Sequence, residues 1–373
     1  VRVRPIDTTL RRDLRRFLAL PFHLYRNCPQ WVPPLRADAR LPLDRRRHPI
    51  YLHSEAAFFV VEADGETVGR LAVLDHRLYN HSHGTRTAFF NSFEATDDPE
   101  VAGLLFQTAA AWAARRGLDS LAGPKGFMFG DGIGLLVEGF EHRPALGIPY
   151  NHAYYSALVE GCGFVKETDF LSGTLRRTDH HLPEGFLAAA EAAAAAEGYH
   201  TQVFRSRGEL RRWLPRFAAI YNQAFAANWE FSPLTDEEIA AVGRRFLPIL
   251  DPSLVRLVVA GDEPVGYLIA YPDVSAALQR SGGRLLPLGW AGLLRERSRT
   301  RWANINGMGL LPSHRGTGAN AVLYTALARS VADLRFDGAE VVQVEERNAP
   351  MISNLAAVGV PWHKRHRVYR RPL

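Results

Sequence analysis

The sequence predicts a mixed α/β chain made of two tandem copies of one unit, each a mixed sheet dressed with helices. Three observations carry that expectation. The chain has 373 residues, more than a single hydrophobic core usually grows to, so two domains are expected. A short strand followed by an amphipathic helix occurs twice, in "VRVRPIDTTLRRDLRRFL" from Val1 and in "HTQVFRSRGELRRWLPRF" from His200. Landmarks after each helix then return at a near-constant spacing: Trp31 and Trp229 are 198 apart, Gly69 and Gly266 197, Asn151 and Asn348 197, and Gly163 and Gly359 196. Chance supplies one such match, but not four in order.

The elements follow in the same sequence in both copies. Each first helix leads through a tyrosine (Tyr25, Tyr221) to a tryptophan and a Pro-Leu pair. The hairpins "FFVVEADGETVGRLAVLD" and "RLVVAGDEPVGYLIAYPD" come next, β-rich runs around polar turns. A central strand, a helix and a strand follow. A second helix then opens at Asn151 or Asn348, and a final strand ends the copy. The copies join near "RRTDHHLPEG" and the alanine-rich run behind it, giving an N-terminal domain over 1–180 and a C-terminal one over 181–373. Two insertions break the symmetry: "GPKGFMFGDGIGLLVEGFEHRPALGIP" late in the first copy, and "VSAALQRSGGRLLPLGWAGLLRERSRT" ahead of the second copy's central strand.

Composition narrows the function. Cys28 and Cys162 are the only cysteines, so neither a disulfide framework nor a cysteine metal cluster is available. His314, His363 and His366 lack metal-ligand spacing, so no metal is expected. No apolar run is long enough to span a bilayer, and a cytoplasmic protein is expected. The net charge of +6 favours acidic ligands, yet the arginines are scattered rather than clustered, so nucleic-acid binding is not expected.

The second copy carries the most informative motif. The strand "WANINGMGLL" runs into Pro312, then Ser313-His314-Arg315-Gly316-Thr317-Gly318-Ala319, then the helix "ANAVLYTALARSVADL". A helix N-terminus offers unpaired N–H groups and a partial positive charge, and glycines let backbone approach a pyrophosphate. Arg315 adds a charge-assisted donor. No Lys-Ser/Thr follows, so this is not a Walker A motif, and the third glycine of a dinucleotide fingerprint is missing.

That arrangement resembles the GNAT acyltransferase superfamily, in which a central strand leads through a [Gln/Arg]-x-x-Gly-x-[Gly/Ala] turn into a helix. Ser313 stands where the family has Gln or Arg, and "NAPMISNLAAVG" is similar to its later helix. "NWEFSPLT", "LVEGF" and "HAYYSAL" further resemble a bacterial tandem group that includes YghO-like proteins and acyl-CoA-dependent ceramide synthases. The loop "GPKGFMFGD" departs from that group's Asn-rich one. The resemblance implies two GNAT-like domains with splayed sheets, and acetyl-CoA or a longer acyl-CoA as co-substrate. Its binding residues would be Gly309, Leu310, Leu311, His314, Arg315, Gly316, Thr317, Gly318, Ala319 and Asn348. In the first copy the matching stretch is "FFNSFEATDDPEVAG". Asp97, Asp98 and Glu100 suit a helix start but repel a pyrophosphate, which makes the N-terminal CoA site degenerate.

Acyl transfer to an amine needs a base, an oxyanion donor and a leaving thiolate. The family's oxyanion donor is a central-strand N–H, here near Gly309–Leu311. Its frequent general acid, a Tyr four residues before the helix-ending glycine, is replaced by Leu355. A thiol of pKa ~8.5 leaves without a dedicated acid. Base candidates are Glu345 and Glu346, closing the strand "AEVVQVEER", with Tyr369 and Glu94 behind them. Asn304 and Asn306, Trp229 and Phe231, and Tyr154 and Tyr155 are candidate acceptor-site residues. The segment 284–301, a short apolar block with Trp290 followed by arginines, has the make-up of an interfacial helix, so peripheral contact with the inner membrane is a further expectation. The reaction expected is N-acylation of a small-molecule or lipid amine, the latter a sphingoid base in its sharpest form. The alternatives are a non-catalytic acyl-CoA-binding protein and a Fem-like transferase using charged tRNA. The glycine turn argues against the last.

Overall fold

The computed structural model describes residues 1–178, 185–333, 336–357 and 359–373. The chain opens with strand β1 (Arg2–Pro5), helix α1 (Arg11–Leu24) and the short α2 (Arg36–Arg40). The hairpin β2 (Glu55–Ala63) and β3 (Glu66–Asp75) precedes α3 (Arg77–His83), β4 (Thr87–Ala95) and α4 (Pro99–Ala114). Then come β5 (Ser120–Gly123), β6 (Leu135–Glu138), α5 (Tyr154–Gly161) and β7 (Val165–Arg176). The second round is α6 (Phe186–Glu197), β8 (Tyr199–Val203), α7 (Arg207–Ala224), α8 (Asp236–Phe246) and the hairpin β9 (Val255–Ala260) and β10 (Glu263–Pro272). It continues through α9 (Ser275–Ser281), α10 (Gly289–Arg299) and β11 (Trp302–Leu310). The chain closes with α11 (Ala319–Asp333), β12 (Gly338–Glu345), α12 (Ala349–Ala357) and β13 (Trp362–Pro372).

Packing divides the chain into two compact units that interleave in sequence. Unit 1 is Val1–Phe170 with Ser275–Leu293 and Lys364–Leu373; unit 2 is Leu171–Val274 with Leu294–His363. The sequence repeat led instead to two consecutive stretches, and the junction it placed at 180 falls on 179–184, outside the described residues. Part of the second copy's central insertion and the end of its last strand thus pack in unit 1. Periodicity sees the strand, but not the sheet it joins.

In unit 1 the strand order is β1-β2-β3-β4-β5-β13, with β6 also on β13. In unit 2 it includes β8-β9-β10-β11-β12. Within each, the pairings among the described residues are antiparallel except at the centre, where β4 pairs β5 and β11 pairs β12 in parallel. Both parallel ladders are short. β4 and β5 pair over Thr87–Phe89 and Ser120–Ala122, and β11 and β12 over Trp302–Ile305 and Gly338–Val341. Beyond those residues neither ladder continues, although the Phe90 carbonyl still accepts from the Lys125 N–H at 3.0 Å.

A bulge marks the end of each ladder. On β11, Gly307 faces Ile269 and Ile305 faces Ala270, so Asn306 is the extra residue. On β4 the register slips between Arg70↔Glu94 and Ala72↔Asn91, and Ser92 takes φ +53° to accommodate it. A bulge bends its strand and sharpens the local twist, which steers it off its neighbour.

Helix starts are chemically specified. Asp98 accepts from the Glu100 N–H at 2.8 Å and caps α4. Thr235 and Glu238 form a reciprocal capping box on α8. Unit 1 is centred on Phe90, Phe93, Leu105, Phe106, Tyr155 and Phe164. Unit 2 is centred on Leu268, Ile305, Leu310, Leu323, Val341 and Leu355.

Candidate active site

In unit 2 the bulged strand β11 feeds directly into the glycine turn. Its last N–H, on Leu311, donates to Val265 O at 2.8 Å, and a turn of 3-10 helix spans Pro312–His314. Arg315 is extended, Gly316 and Gly318 take φ of +79° and +88°, and α11 begins at Ala319. A Cβ at Gly316 would meet nothing within 4 Å, so that glycine is required by its backbone angle and not by crowding. The first N–H groups of α11 have no acceptor within the helix, as at any helix start.

Side chains from three elements brace the turn. The Tyr199 hydroxyl from β8 lies 2.7 Å from His314 Nδ1 and 2.8 Å from Thr317 Oγ1, and Thr317 donates to His314 O at 2.8 Å. His314 and Thr317 therefore hold the loop with their side chains, and the His314 N–H is itself bonded to Leu311 O at 2.9 Å. Arg315 is exposed, and its guanidinium donates to the Ala224 carbonyl at the end of α7 at 2.6 Å. One of its five donors is committed there, which fixes the charge beside the mouth of α11.

Gly309 is packed so closely that a Cβ would lie 2.8 Å from the Phe225 ring and 3.0 Å from that of Tyr267. The neighbouring polar residues face β10. Buried Asn304 donates to Asp273 at 3.4 Å, and among the described residues its Oδ1 has no hydrogen-bond partner. Asn306, the bulge residue, donates to the Tyr271 hydroxyl at 3.0 Å.

Glu345 is buried and Glu346 half-buried, side by side where β12 ends beyond its ladder. The Asn348 side-chain oxygen accepts from the Met351 N–H at 3.3 Å and caps α12, while its backbone N–H donates to Glu345 O and its backbone carbonyl accepts from the Ile352 N–H, each at 3.0 Å. Leu355, in the position of the family's acid, is 2% exposed in the core and fills space. Phe231 is buried with its ring 5.6 Å from that of Tyr221, while Trp229 is half-buried in the same loop.

The remaining candidates lie in unit 1. Tyr154 donates to Ala95 O at 2.8 Å, and Tyr155 donates to Glu94 at 2.8 Å while accepting from the Ala95 N–H at 3.2 Å. They clamp the end of β4. Tyr25 donates to the same Glu94 oxygen at 2.6 Å, and Arg70 lies 3.4 Å from the other. Burial raises the Glu94 carboxyl above its ordinary pKa, against the pull of Arg70 and the two tyrosines. Burial, then Glu94, raises Tyr25 and Tyr155 well above the usual phenol range. Trp31 and His152 both stack on the Tyr25 ring, at 5.1 Å and 4.8 Å. In the sequence Glu94 is one of the weaker base candidates and Tyr25 a repeat landmark; nothing local joins residues 69 positions apart. Tyr369 is fully buried in this unit and donates to Glu160 at 3.0 Å, with burial raising its pKa. Its surroundings are those of a core tyrosine, so as a base it has nothing to reach.

No protein-family model matches the chain. Among solved structures, the tandem GNAT protein from the clavulanic acid biosynthesis pathway superposes with a TM-score of 0.57 at 14% identity, over 100% of this chain and 98% of that one. A GCN5-related N-acetyltransferase from Sphaerobacter thermophilus gives 0.52 at 14% identity, over 100% and 95%. The fold is that of the tandem GNAT proteins. In sequence the chain is similar to Protein YghO of Escherichia coli (strain K12), 26% identical over 372 residues, 97% of this chain and 94% of that protein. It is also similar to the bacterial ceramide synthase of Caulobacter vibrioides (strain NA1000 / CB15N), 28% identical over 368 residues, 97% and 95% of the two chains.

Proposed function

We propose that this chain, an N-acyltransferase of the GNAT type, moves an acyl group from acyl-CoA to the amine of a lipid. The observation that carries the reading is the continuity of unit 2's site. The β11–β12 ladder stops at Ile305 and Val341, Asn306 bulges, and the freed edge of β11 runs straight into a helix-mouth turn beside Arg315. That edge suits the amide groups of a pantetheine arm, and the turn suits its pyrophosphate. The residues present fit the group: Gly316 is open above, and the helix start supplies donors.

The strand also selects the oxyanion donor. Backbone N–H groups alternate between the two edges of a strand. Since the Leu311 N–H is bonded to Val265 on the β10 side, the Leu310 N–H faces the opposite edge, where the gap lies. Leu310 N–H is thus the donor we assign to the charge that gathers on the thioester oxygen. Glu345 or Glu346, at the open end of β12, takes the proton of the attacking amine. With Leu355 apolar, the CoA sulfur leaves as thiolate. The lipid acceptor is supported by the relative named a ceramide synthase.

Calorimetric titration with CoA, acetyl-CoA and palmitoyl-CoA tests the donor site. Palmitoyl-CoA binds the wild type, and Arg315→Glu weakens it by about tenfold to a hundredfold, the worth of a charge-assisted contact. Changes at Asp97 and Asp98 leave it alone. Equal effects at both places would move the donor to unit 1. Binding without transfer to a long-chain amine, followed by mass spectrometry, would identify a non-catalytic acyl-CoA-binding protein instead.

A further inference from the structure

Among the described residues twelve large hydrophobic side chains are exposed, and five of them fall within ten positions: Leu285, Leu286, Leu288, Trp290 and Leu294. Leu286 and Leu288 are 78% and 74% exposed, more than any other large hydrophobic of the chain's described part. Isolated exposed leucines are ordinary, but a contiguous group marks a contact surface. The helix that follows them, α10, spans eleven residues and none of them is buried. Unlike the other long helices, it spends no face on the core.

The segment is held rather than loose. Arg36 binds it twice, by its N–H to Gly283 O at 3.0 Å and by its side chain to Gly282 O at 3.3 Å. A Cβ at Gly283 would lie 2.1 Å from Pro34 O, and one at Gly289 only 1.7 Å from Arg284 O, so the base is a tight, glycine-dependent turn. The Trp290 N–H closes it onto Leu285 O at 2.8 Å. A built turn therefore presents leucines to solvent.

The charge around this apolar tip is of one sign. Arg284, Arg295 and Arg299 are exposed, and Arg297 is half-buried. On a helix Arg297 falls on the same stripe as Trp290 and Leu294, Arg295 lies about 120° round from it, and Arg299 lies on the opposite side. Glu296 is the one acid within 284–299, on the far side of α10 from that stripe. At the base, Arg36 loses some of its hold on its proton through burial and then through the nearby charge of Arg284. Two guanidiniums crowd together there.

We infer that the 284–299 spur docks this protein on an anionic lipid bilayer, its leucines and Trp290 entering the headgroup boundary while the arginines meet lipid phosphates. An apolar tip ringed by arginine is the composition that binds such interfaces, each arginine adding electrostatic attraction and the tryptophan preferring the interfacial depth. The inference stands on exposure and charge and does not depend on the donor or acceptor proposed above.

Flotation of the full chain with vesicles tests it, using phosphatidylcholine alone against phosphatidylcholine mixed with phosphatidylglycerol. The wild type floats with the anionic vesicles, less so as salt rises. Leu286→Ser/Leu288→Ser/Trp290→Ser loses binding by on the order of tenfold or more. Arg284→Ser/Arg295→Ser removes the preference for anionic lipid. Because no residue of α10 is buried and Arg284 is exposed, both variants keep the wild-type melting curve, measured alongside. A triple variant that melts normally and floats like the wild type overturns the inference, as does a wild type that binds neither vesicle. A solution dimer that the triple variant dissociates, without vesicle binding, would show that a second copy covers the spur and would overturn it too.

Discussion

A methyl group added at Gly309 would strike Phe225, which stacks on Tyr221 at 5.1 Å, and Tyr267, which is 2% exposed. The buried Tyr267 ring has no room to yield, so Gly309→Ala is expected to cost about 1–3 kcal/mol, read as a lower denaturation midpoint. Two buried groups in unit 1 set opposite pH responses. His366 is fully buried, its Nε2–H donates to Pro149 O at 3.1 Å, and among the described residues Nδ1 has no hydrogen-bond partner. Burial holds its pKa down to about 4. The unfolded chain therefore takes the proton first on acidification. His366 costs nothing above about pH 6.5, and stability falls by about 3 kcal/mol as pH drops from there through 4. Thermal melts across this range should show that loss in the wild type and not in His366→Phe. Glu94 has the reverse sign, since its folded pKa is raised. The stability it lends is complete below about pH 4.3 and is lost as pH rises through the folded value. The margin of wild type over Glu94→Gln should shrink over that rise and then level off. Residues such as these show where sequence stopped. Arg315 and its glycines were visible because the motif is local. The partners Ala224, 91 positions away, and Tyr199, 115 away from His314, were not.

Among elements, the legible features were those with a short-range cause. The hairpin Val-Gly repeat is one: Gly69 faces Ala95 and Gly266 faces Leu310, the same register in both copies. A Cβ at Gly69 would lie 2.5 Å from Val101 of α4, and one at Gly266 would lie 2.7 Å from Leu310 and 3.4 Å from Leu323 of α11. The glycine returns after 197 residues because each hairpin must let a helix pack flat on it. The capping box of α8 is equally local, and Thr235→Ala should cost about 1 kcal/mol in chemical denaturation. The bulge at Asn306 was not legible. "WANINGMGLL" reads as unbroken alternation, and only its pairing with β10 and β12 reveals the extra residue and the ladder's end beside it. Asn304 and Asn306, candidate acceptor residues in the sequence, each donate one hydrogen bond, to Asp273 and to Tyr271.

For the whole molecule, the repeat announced two units but not how the chain is shared between them, because equal offsets describe order and not pairing. The clearest consequence concerns Lys364–Leu373, which packs in unit 1. There Tyr369 faces Gly123 and Arg371 faces Leu121, and Val368 and Tyr369 are fully buried. Asp169 has a fully buried side chain. Although burial opposes it, its carboxyl stays below the usual carboxylate range through Arg367, Lys166 and Arg365, with Arg367 at 2.9 Å and Arg365 at 3.1 Å. A fragment ending at 180 would lose β5's partner strand and both arginines at once. Removing the partners of a buried charge costs about 3–5 kcal/mol, a large part of the 5–15 kcal/mol that holds a typical domain. Fragment 1–180 is therefore expected to melt without a cooperative transition. The same fragment carrying 364–373 on a flexible linker should regain one, and the linker version with Arg365→Ala and Arg367→Ala should regain it only in part. If 1–180 alone melts as sharply as the full chain, the last strand is dispensable to unit 1, and the repeat's simpler division was the physical one.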